Sequence, residues 1–379
     1  MNARNFSTKR KLGVHVAGAT VALAVLAVSV AHAVVVANNG TDNGTCGLFN
    51  TPCRSIRQAI ANAVAGGTIV VGPGLYGDLN GNGTLGDSPG EEVPSFGTLM
   101  VWVDKTLTIV SRDGAGSTVL DAANTGVAVV GISMNAPGVV FGKRNRGFTL
   151  RNGLLGLSDD SDNSKVAGNV AEKNSSHGFF AEALTTGVVF SDNAAISNGG
   201  AGFFAAGNGT VVKGNVSRSN SSGMYLSGFG ALVINNVVSA NLYGPVVYPQ
   251  PPGTSSPFAI FRYNKIVGNS NAGLYVNMYG NFTTDVSLIF DHNDYFGNGD
   301  SLANCGLTIA VADTNATPHT LNVTSISDFW GAPGGPGADP KDDAGTTNLL
   351  CSSASSGTIT LNVLTPALSE LRVTPPAIR

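Results

Sequence analysis

The side chains able to do acid, base or metal chemistry are few in this chain of 379 residues, and they fall into a small number of groupings. Beyond residue 33 the histidines are His177, His292 and His319. Asp291 and His292 follow Arg262 and Lys265 by one repeat of the pattern described below. A basic side chain there could take a proton from a sugar ring while an arginine or a cation neutralises a uronate carboxylate, the chemistry of a lyase. The same letters also describe an ion-paired outer face without chemistry. Asp159, Asp160, Asp162 and Glu182 could present two carboxylates at the separation used for glycoside hydrolysis. Asp78-Leu-Asn80-Gly-Asn82-Gly-Thr matches the first half of a calcium loop, with oxygen ligands at alternate positions and a Gly turn. Its twelfth position is Pro89, so Asp87, Glu91 or Glu92 would have to complete the coordination. Calcium at Asp78, Asn80, Asn82 and Asp87 is one expectation, and a metal-free polar insertion is the other.

What must position these groups is a repeat. Asn169, Asn193, Asn215, Asn236, Asn264 and Asn293 are each followed five residues later by a second Asn, the last being Asn298. A Gly then opens an apolar triplet: Gly178-Phe-Phe-Ala, Gly202-Phe-Phe-Ala, Gly223-Met-Tyr-Leu, Gly244-Pro-Val-Val and Gly273-Leu-Tyr-Val, with Gly153-Leu-Leu-Gly beginning the series. From Gly153 to Gly273 the mean period is 24 residues. A repeat of that length holds two or three short strands and, in its tighter forms, no helix, which describes a coil of parallel strands. Val166, Phe190, Val212, Val233, Phe261 and Phe290, three residues before each first Asn, are expected to stack in one interior column. The Asn columns read as structural ladders. Asn tolerates the left-handed backbone of a turn, and stacked amides can bond along the axis.

Ser55 and Gln58 form a capping box ahead of Ile56, Ala59, Ile60, Ala63 and Val64, and Gly66-Gly67 stops the segment, so a short amphipathic helix is expected to cover the first rung. Thr68–Val71 and residues 99–110 read as early strands, and Thr358–Leu364 as the last. Trp330-Gly-Ala-Pro, Cys305 and Cys351 suggest an irregular closing cap. Four cysteines allow three connectivities; Cys46 with Cys53 and Cys305 with Cys351 is the expected one. Their spacing lacks the CxxC pairs of a zinc site.

On these residues the chain resembles the right-handed parallel β-helix repeat proteins of the pectin-lyase-like superfamily, including the β-helix domain of periplasmic copper-enzyme maturation proteins. The likeness rests on Cys53-Arg-Ser-Ile-Arg-Gln-Ala-Ile, on Gly67-Thr-Ile-Val-Val-Gly-Pro-Gly-Leu-Tyr, on the Asn/Gly repeats and on Asp328-Phe-Trp-Gly-Ala-Pro-Gly-Gly-Pro. It implies an all-β, right-handed parallel β-helix with a short N-terminal capping helix. It does not single out an activity, because this architecture carries lyases, hydrolases, epimerases and proteins without catalysis. Of the pectin-hydrolase pattern, only pieces resembling Asp159-Asp160 and Ser176-His177-Gly178 are present. Copper handling would need more ligands than a few His and scattered Met residues.

Strand alternation sends the second residue after each repeat Gly outward. That column reads Leu155, Phe180, Phe204, Tyr225, Val246 and Tyr275. Its four aromatics would form a stripe suited to stacking on sugar rings, unless insertions such as 249–257 cover them. Residues 1–33, with Lys9, Arg10 and Lys11 before an apolar run ending Ala-His-Ala, read as a signal peptide, leaving 34–379 as one β-helix domain. It divides into a cap and first strand at 34–75, the clearest repeats at 153–300, and C-terminal rungs with a cap at 301–379. Removing the leader shifts 21 basic against 24 acidic residues to 17 against 24, which makes nucleic acid a poor partner. The expected protein is exported to the periplasm, cell surface or medium. It binds polysaccharide along one face, with a polysaccharide-active enzyme and a non-catalytic adhesive protein as alternatives.

Overall fold

A computed structural model describes residues 33–250, 257–299, 305–331 and 350–370. The chain winds as a right-handed coil whose strands stack into three parallel sheets of twelve, ten and nine strands. One turn of the coil is typified by Lys165–Ala167 in the twelve-stranded sheet, Val170–Glu172 in the nine-stranded sheet and Phe179–Ala181 in the ten-stranded sheet. The strands are this short because polar turn residues interrupt the apolar alternation every few positions. Thr68–Val71 and Thr358–Leu364 form strands with the expected limits. Residues 99–110 divide into Leu99–Val103 and part of Thr108–Ser111.

The interior column has the expected register. Val166 pairs with Phe190, Phe190 with Val212, Val212 with Val233, Val233 with Phe261, and Phe261 with Phe290. All six side chains are buried. No repeat has a core of its own, so each buries its apolar side against its neighbours.

Two Asn ladders tie the rungs together. Asn215 is representative: its Oδ1 accepts from the main-chain N–H of Asn193 at 2.9 Å and from Asn193 Nδ2 at 3.2 Å. Its Nδ2 donates to Phe190 O and to Asn236 Oδ1, both at 3.0 Å. The second ladder runs from Asn174 through Asn198, Asn220, Asn241 and Asn269 to Asn298 in the same way. The first ladder ends on a carboxylate, since Asp328 Oδ1 accepts from both Asn293 N and Asn293 Nδ2. The left-handed backbone does not fall on the Asn residues, as the sequence suggested. It falls one residue earlier, at Lys173, Asp192, Ser197, Ser219, Asn235, Ala240, Tyr263 and His292. Each turn is thereby made by a preceding residue, which leaves the Asn side chain free to point inward.

The repeat glycines serve close packing. A Cβ on Gly178 would lie 2.7 Å from Gly202 O and 3.1 Å from Asn198 Nδ2. The series starts at Gly156 and not at Gly153: Leu157 pairs with Phe179, and Ser158 with Phe180. Gly153 instead heads the second ladder, its N–H donating to Asn174 Oδ1.

The capping helix is Ile56–Asn62, with Ile56, Ala59 and Ile60 buried. Val64 lies beyond its end and is exposed. Only half of the capping box forms, Ser55 Oγ accepting from Gln58 N at 3.1 Å. The other half is replaced from a distance, because Asp42 Oδ1 takes the Ser55 N–H while Glu92 accepts from Ile56 N and Arg57 N. A disulfide joins Cys46 to Cys53. Of the expected irregular C-terminal cap, residues 332–349 and 371–379 lie outside the described residues. Cys305–Asp313 and Leu350–Ser356 are rungs of the ten-stranded sheet. Trp330 is buried, stacked on Tyr295 at 4.8 Å. The side chains of Cys305 and Cys351, residues 1–32 and the inserted segment 251–256 lie outside the described residues.

Candidate functional site

The outward column of the ten-stranded sheet carries the aromatic row. Phe180, Phe204 and Tyr225 occupy successive rungs in register, with ring centres 4.8 Å apart for the first pair and 4.5 Å for the second. All three are half-buried. Val246 and then Tyr275 continue the column. Leu155 is not part of it, because the register puts Ser158 in that place. The alternation sends Phe179, Phe203, Met224 and Leu274 inward, and their burial holds the row rigid.

Three rings join the row that sequence reasoning did not assign to it. His177, in the turn before Gly178, is one: its Nδ1 accepts from Ala201 N at 2.8 Å. Its ring also stacks on Phe180 at 5.7 Å and lies 4.8 Å from Phe204. Burial lowers its pKa and favours the neutral imidazole. Tyr248 stacks on Tyr225 at 6.4 Å, and Tyr243 lies 6.1 Å from Tyr275. Tyr248 follows Val246 by two residues, so strand alternation could have found it.

At one end of the row Asp160 and Glu182 continue neighbouring strands just past Asp159 and Ala181. Together with Met134, Asp162, Ala183 and Leu184 they line a hollow of about 320 Å³. Burial raises the Asp160 pKa against a hydrogen bond from Ser158. Burial and then the charge of Asp160 raise that of Glu182. Asp159 points the other way, into the coil, where it accepts from Ser161 and Ser164 and burial pushes its pKa up to about 6.

Arg262, Asp291 and His292 do come together. Arg262 Nε stands 3.0 Å from Asp291 Oδ2, and His292 Nδ1 stands 2.6 Å from Asp291 Oδ1. They sit on the twelve-stranded sheet, away from the aromatic row. Lys265 pairs with Glu370 instead of joining them. In the 78–92 loop, Asp78 accepts from Gly81 N and Gly83 N, and Asn80 and Asn82 turn their amide nitrogens to Asp87. Glu91 accepts from four main-chain N–H groups. The loop is closed on itself, and Pro89 has no side-chain oxygen to offer at the twelfth position.

The fold defines the class: a right-handed parallel β-helix of the pectin-lyase-like type. Residues 60–304 match the family described as periplasmic copper-binding protein (NosD). That is more than half of the chain, and the protein belongs to this family. No curated protein matches it. Among solved structures, the chain is similar to the A-module of a mannuronan C-5 epimerase from Azotobacter vinelandii, at 14% identity over 81% of this chain and 89% of that one, TM-score 0.44. It is also similar to a pectate lyase, at 12% identity over 79% and 75%, TM-score 0.39. The catalytic domain of an alpha-1,3-glucanase matches at 14% identity over 85% and 65%, TM-score 0.42.

The copper in the family description finds no matching ligand set among the described residues. His177 stands in the turn before Phe179–Ala181 of the ten-stranded sheet, whereas His292 and His319 flank opposite ends of adjacent strands, Val286–Asp291 and Thr320–Ile326. One group of three acidic, His or Cys ligands gathers among the described residues, beside the capping helix: Asp42 with Cys46 and Cys53. Those two sulfurs are bonded to each other, so no thiolate is free to take a soft metal.

Proposed function

We propose that this protein is exported and binds a polysaccharide chain laid along the ring-bearing face of the coil. The observation that carries the reading is the row Phe180, Phe204 and Tyr225, on successive rungs with ring centres 4.8 and 4.5 Å apart. Phe180, Phe204 and Tyr225 are half-buried apolar rings in one row, and such surface suits the apolar faces of sugars. The described periplasmic location of the family and the leader-like segment 1–33 support export.

The test is retention of the mature chain on a panel of neutral, acidic and amino-bearing polysaccharides. Phe204→Ala and Tyr225→Ala are each expected to weaken binding about tenfold, since a ring in stacking contact contributes on the order of 1–2 kcal/mol. No retention on any glycan, or retention indifferent to both substitutions, would sink the reading and move it to a structural or protein-binding role.

A second reading, an enzyme acting on the chain it holds, has one observation in its favour. Asp160 and Glu182 are neighbouring carboxyls with raised pKa values beside the row, and an acid kept protonated is what glycoside cleavage requires. New reducing ends, lost in Glu182→Gln, would support it over binding alone. Unsaturated uronates would point instead to a lyase.

A further inference from the structure

The charges of this coil are segregated by face. Six lysines and arginines lie in its strands, and all six belong to the other two sheets: Lys165, Lys213 and Arg262 in the twelve-stranded one, Arg151, Arg218 and Lys265 in the nine-stranded one. The ten strands of the aromatic sheet contain no Lys, Arg or His. Just past the strand ends, three of four consecutive rungs at one end of the row carry an acid. The register that pairs Val103 with Ile132, Ile132 with Asp159, and Asp159 with Ala181 sets Asp104, Ser133, Asp160 and Glu182 on consecutive rungs.

Ser158 and the Ala183 main chain each give one of the central acids a hydrogen bond, but no cation among the described residues pairs with either. Asp160 Oδ1 has no hydrogen-bond partner. Burial and the Asp160 charge act on Glu182, and no cation acts noticeably on either carboxyl. Asp162, the third acid of the hollow, spends its Oδ1 on Thr186 N and Oγ. Beside the acids, Met134 and Leu184 are exposed and offer apolar contact next to the rings.

We propose that this face selects an amino-bearing glycan, with a protonated sugar amine seated at Asp160 and Glu182 while neighbouring rings of the chain lie on Phe180 and Phe204. The inference rests on the reading that the face binds polysaccharide, and it deepens that reading by naming the class. A polyuronate brings one carboxylate per unit to a sheet whose described strands offer no Lys or Arg to receive it, and to two carboxylates that repel it. A neutral chain keeps the stacking but leaves the two acids unpaired. An ammonium can sit between both acids and offset one of their two charges and, beside an aromatic face, gains cation–π attraction as well.

The experiment is calorimetric titration of the mature chain with three oligomers of equal length: glucosamine, N-acetylglucosamine and galacturonate. It is run at low salt and at a pH where the amine is protonated. The expected order is glucosamine tighter than N-acetylglucosamine by about tenfold or more, with galacturonate weakest, as an ammonium beside two poorly screened carboxylates predicts. Asp160→Asn with Glu182→Gln should bring the glucosamine preference to within about twofold, and so should high salt. Phe204→Ala should weaken all oligomers alike. Galacturonate binding as tightly as glucosamine, through contacts that Phe204→Ala disrupts, overturns the charge selection and leaves the polysaccharide reading standing. No binding of any oligomer, with Phe204→Ala indistinguishable from the parent, overturns both.

Discussion

Asn215→Ala is expected to be among the most damaging single changes in the middle of the coil, and its size follows from the bonds it removes. The parent side chain makes four contacts: it accepts from Asn193 N and Asn193 Nδ2 and donates to Phe190 O and Asn236 Oδ1. Asn193 Nδ2 keeps a second acceptor in Val166 O, and Asn236 Oδ1 keeps the donor Asn215 N. The Asn193 N–H is left without its acceptor and Phe190 O without this donor, in an interior where both Asn residues are fully buried. One stranded main-chain N–H at about 1–3 kcal/mol, one lost bond to a carbonyl that stays in its sheet ladder, and a small cavity give about 2–4 kcal/mol of destabilisation. Asn208→Ala on the same rung is the control. It removes one exposed bond, from Phe229 N to Asn208 Oδ1, and should cost less than about 1 kcal/mol. Urea unfolding followed by circular dichroism measures both. Because rungs are coupled only to their neighbours, the slope against denaturant should also fall in Asn215→Ala as the two halves begin to unfold separately. If the two variants fall within about 1 kcal/mol of each other with equal slopes, the ladder does not couple the rungs and the reasoning fails.

Asp328 gives a pH-dependent test. Burial raises its pKa from the ordinary 3.8 to about 6, so the folded state holds the proton more tightly than the unfolded chain. Its contribution therefore favours folding below about pH 4 and is lost as pH rises through about 6. Asp328→Asn, which continues the amide ladder, should stabilise the protein at pH above about 7 by up to roughly 3 kcal/mol and change little near pH 4. Equal effects at both pH values in paired urea melts would contradict this account. Gly178→Ala places a Cβ 2.7 Å from Gly202 O and should lower stability by about 1–3 kcal/mol, with the aromatic row beside it disturbed. A thermal melt and glycan retention on the same variant check both parts.

The architecture was legible in the sequence because a solenoid writes its period into the chain. The residues three before each ladder Asn, from Val166 to Phe290, pair rung by rung as the spacing indicated. The outward aromatics followed from alternation for the same reason. Legibility failed where a residue has two defensible parities or where the partner is distant. Gly153 and Gly156 both begin plausible triplets, and only hydrogen bonding to Asn174 and pairing with Phe179 separate them. Asp42 and Glu92 replace the second half of the helix capping box from positions that no local motif connects to Ser55.

The site divides in the same way. The row of rings was readable, but its meeting with Asp160 and Glu182 was not. Those acids were weighed together with Asp159, and only the direction of each side chain decides which are buried among serines and which line the hollow. Arg262, Asp291 and His292 meet because neighbouring repeats bring them together, yet their sheet is not foreseeable from their spacing alone. The amino-acid sequence by itself determined the coil, its period, its buried column and its ladders, because each depends on contacts between neighbouring repeats that recur along the chain. The tertiary structure alone decided which outward columns share a face and that the described strands of the aromatic sheet hold no Lys or Arg, because a face is assembled from residues more than twenty positions apart, whose side-chain directions depend on every turn between them.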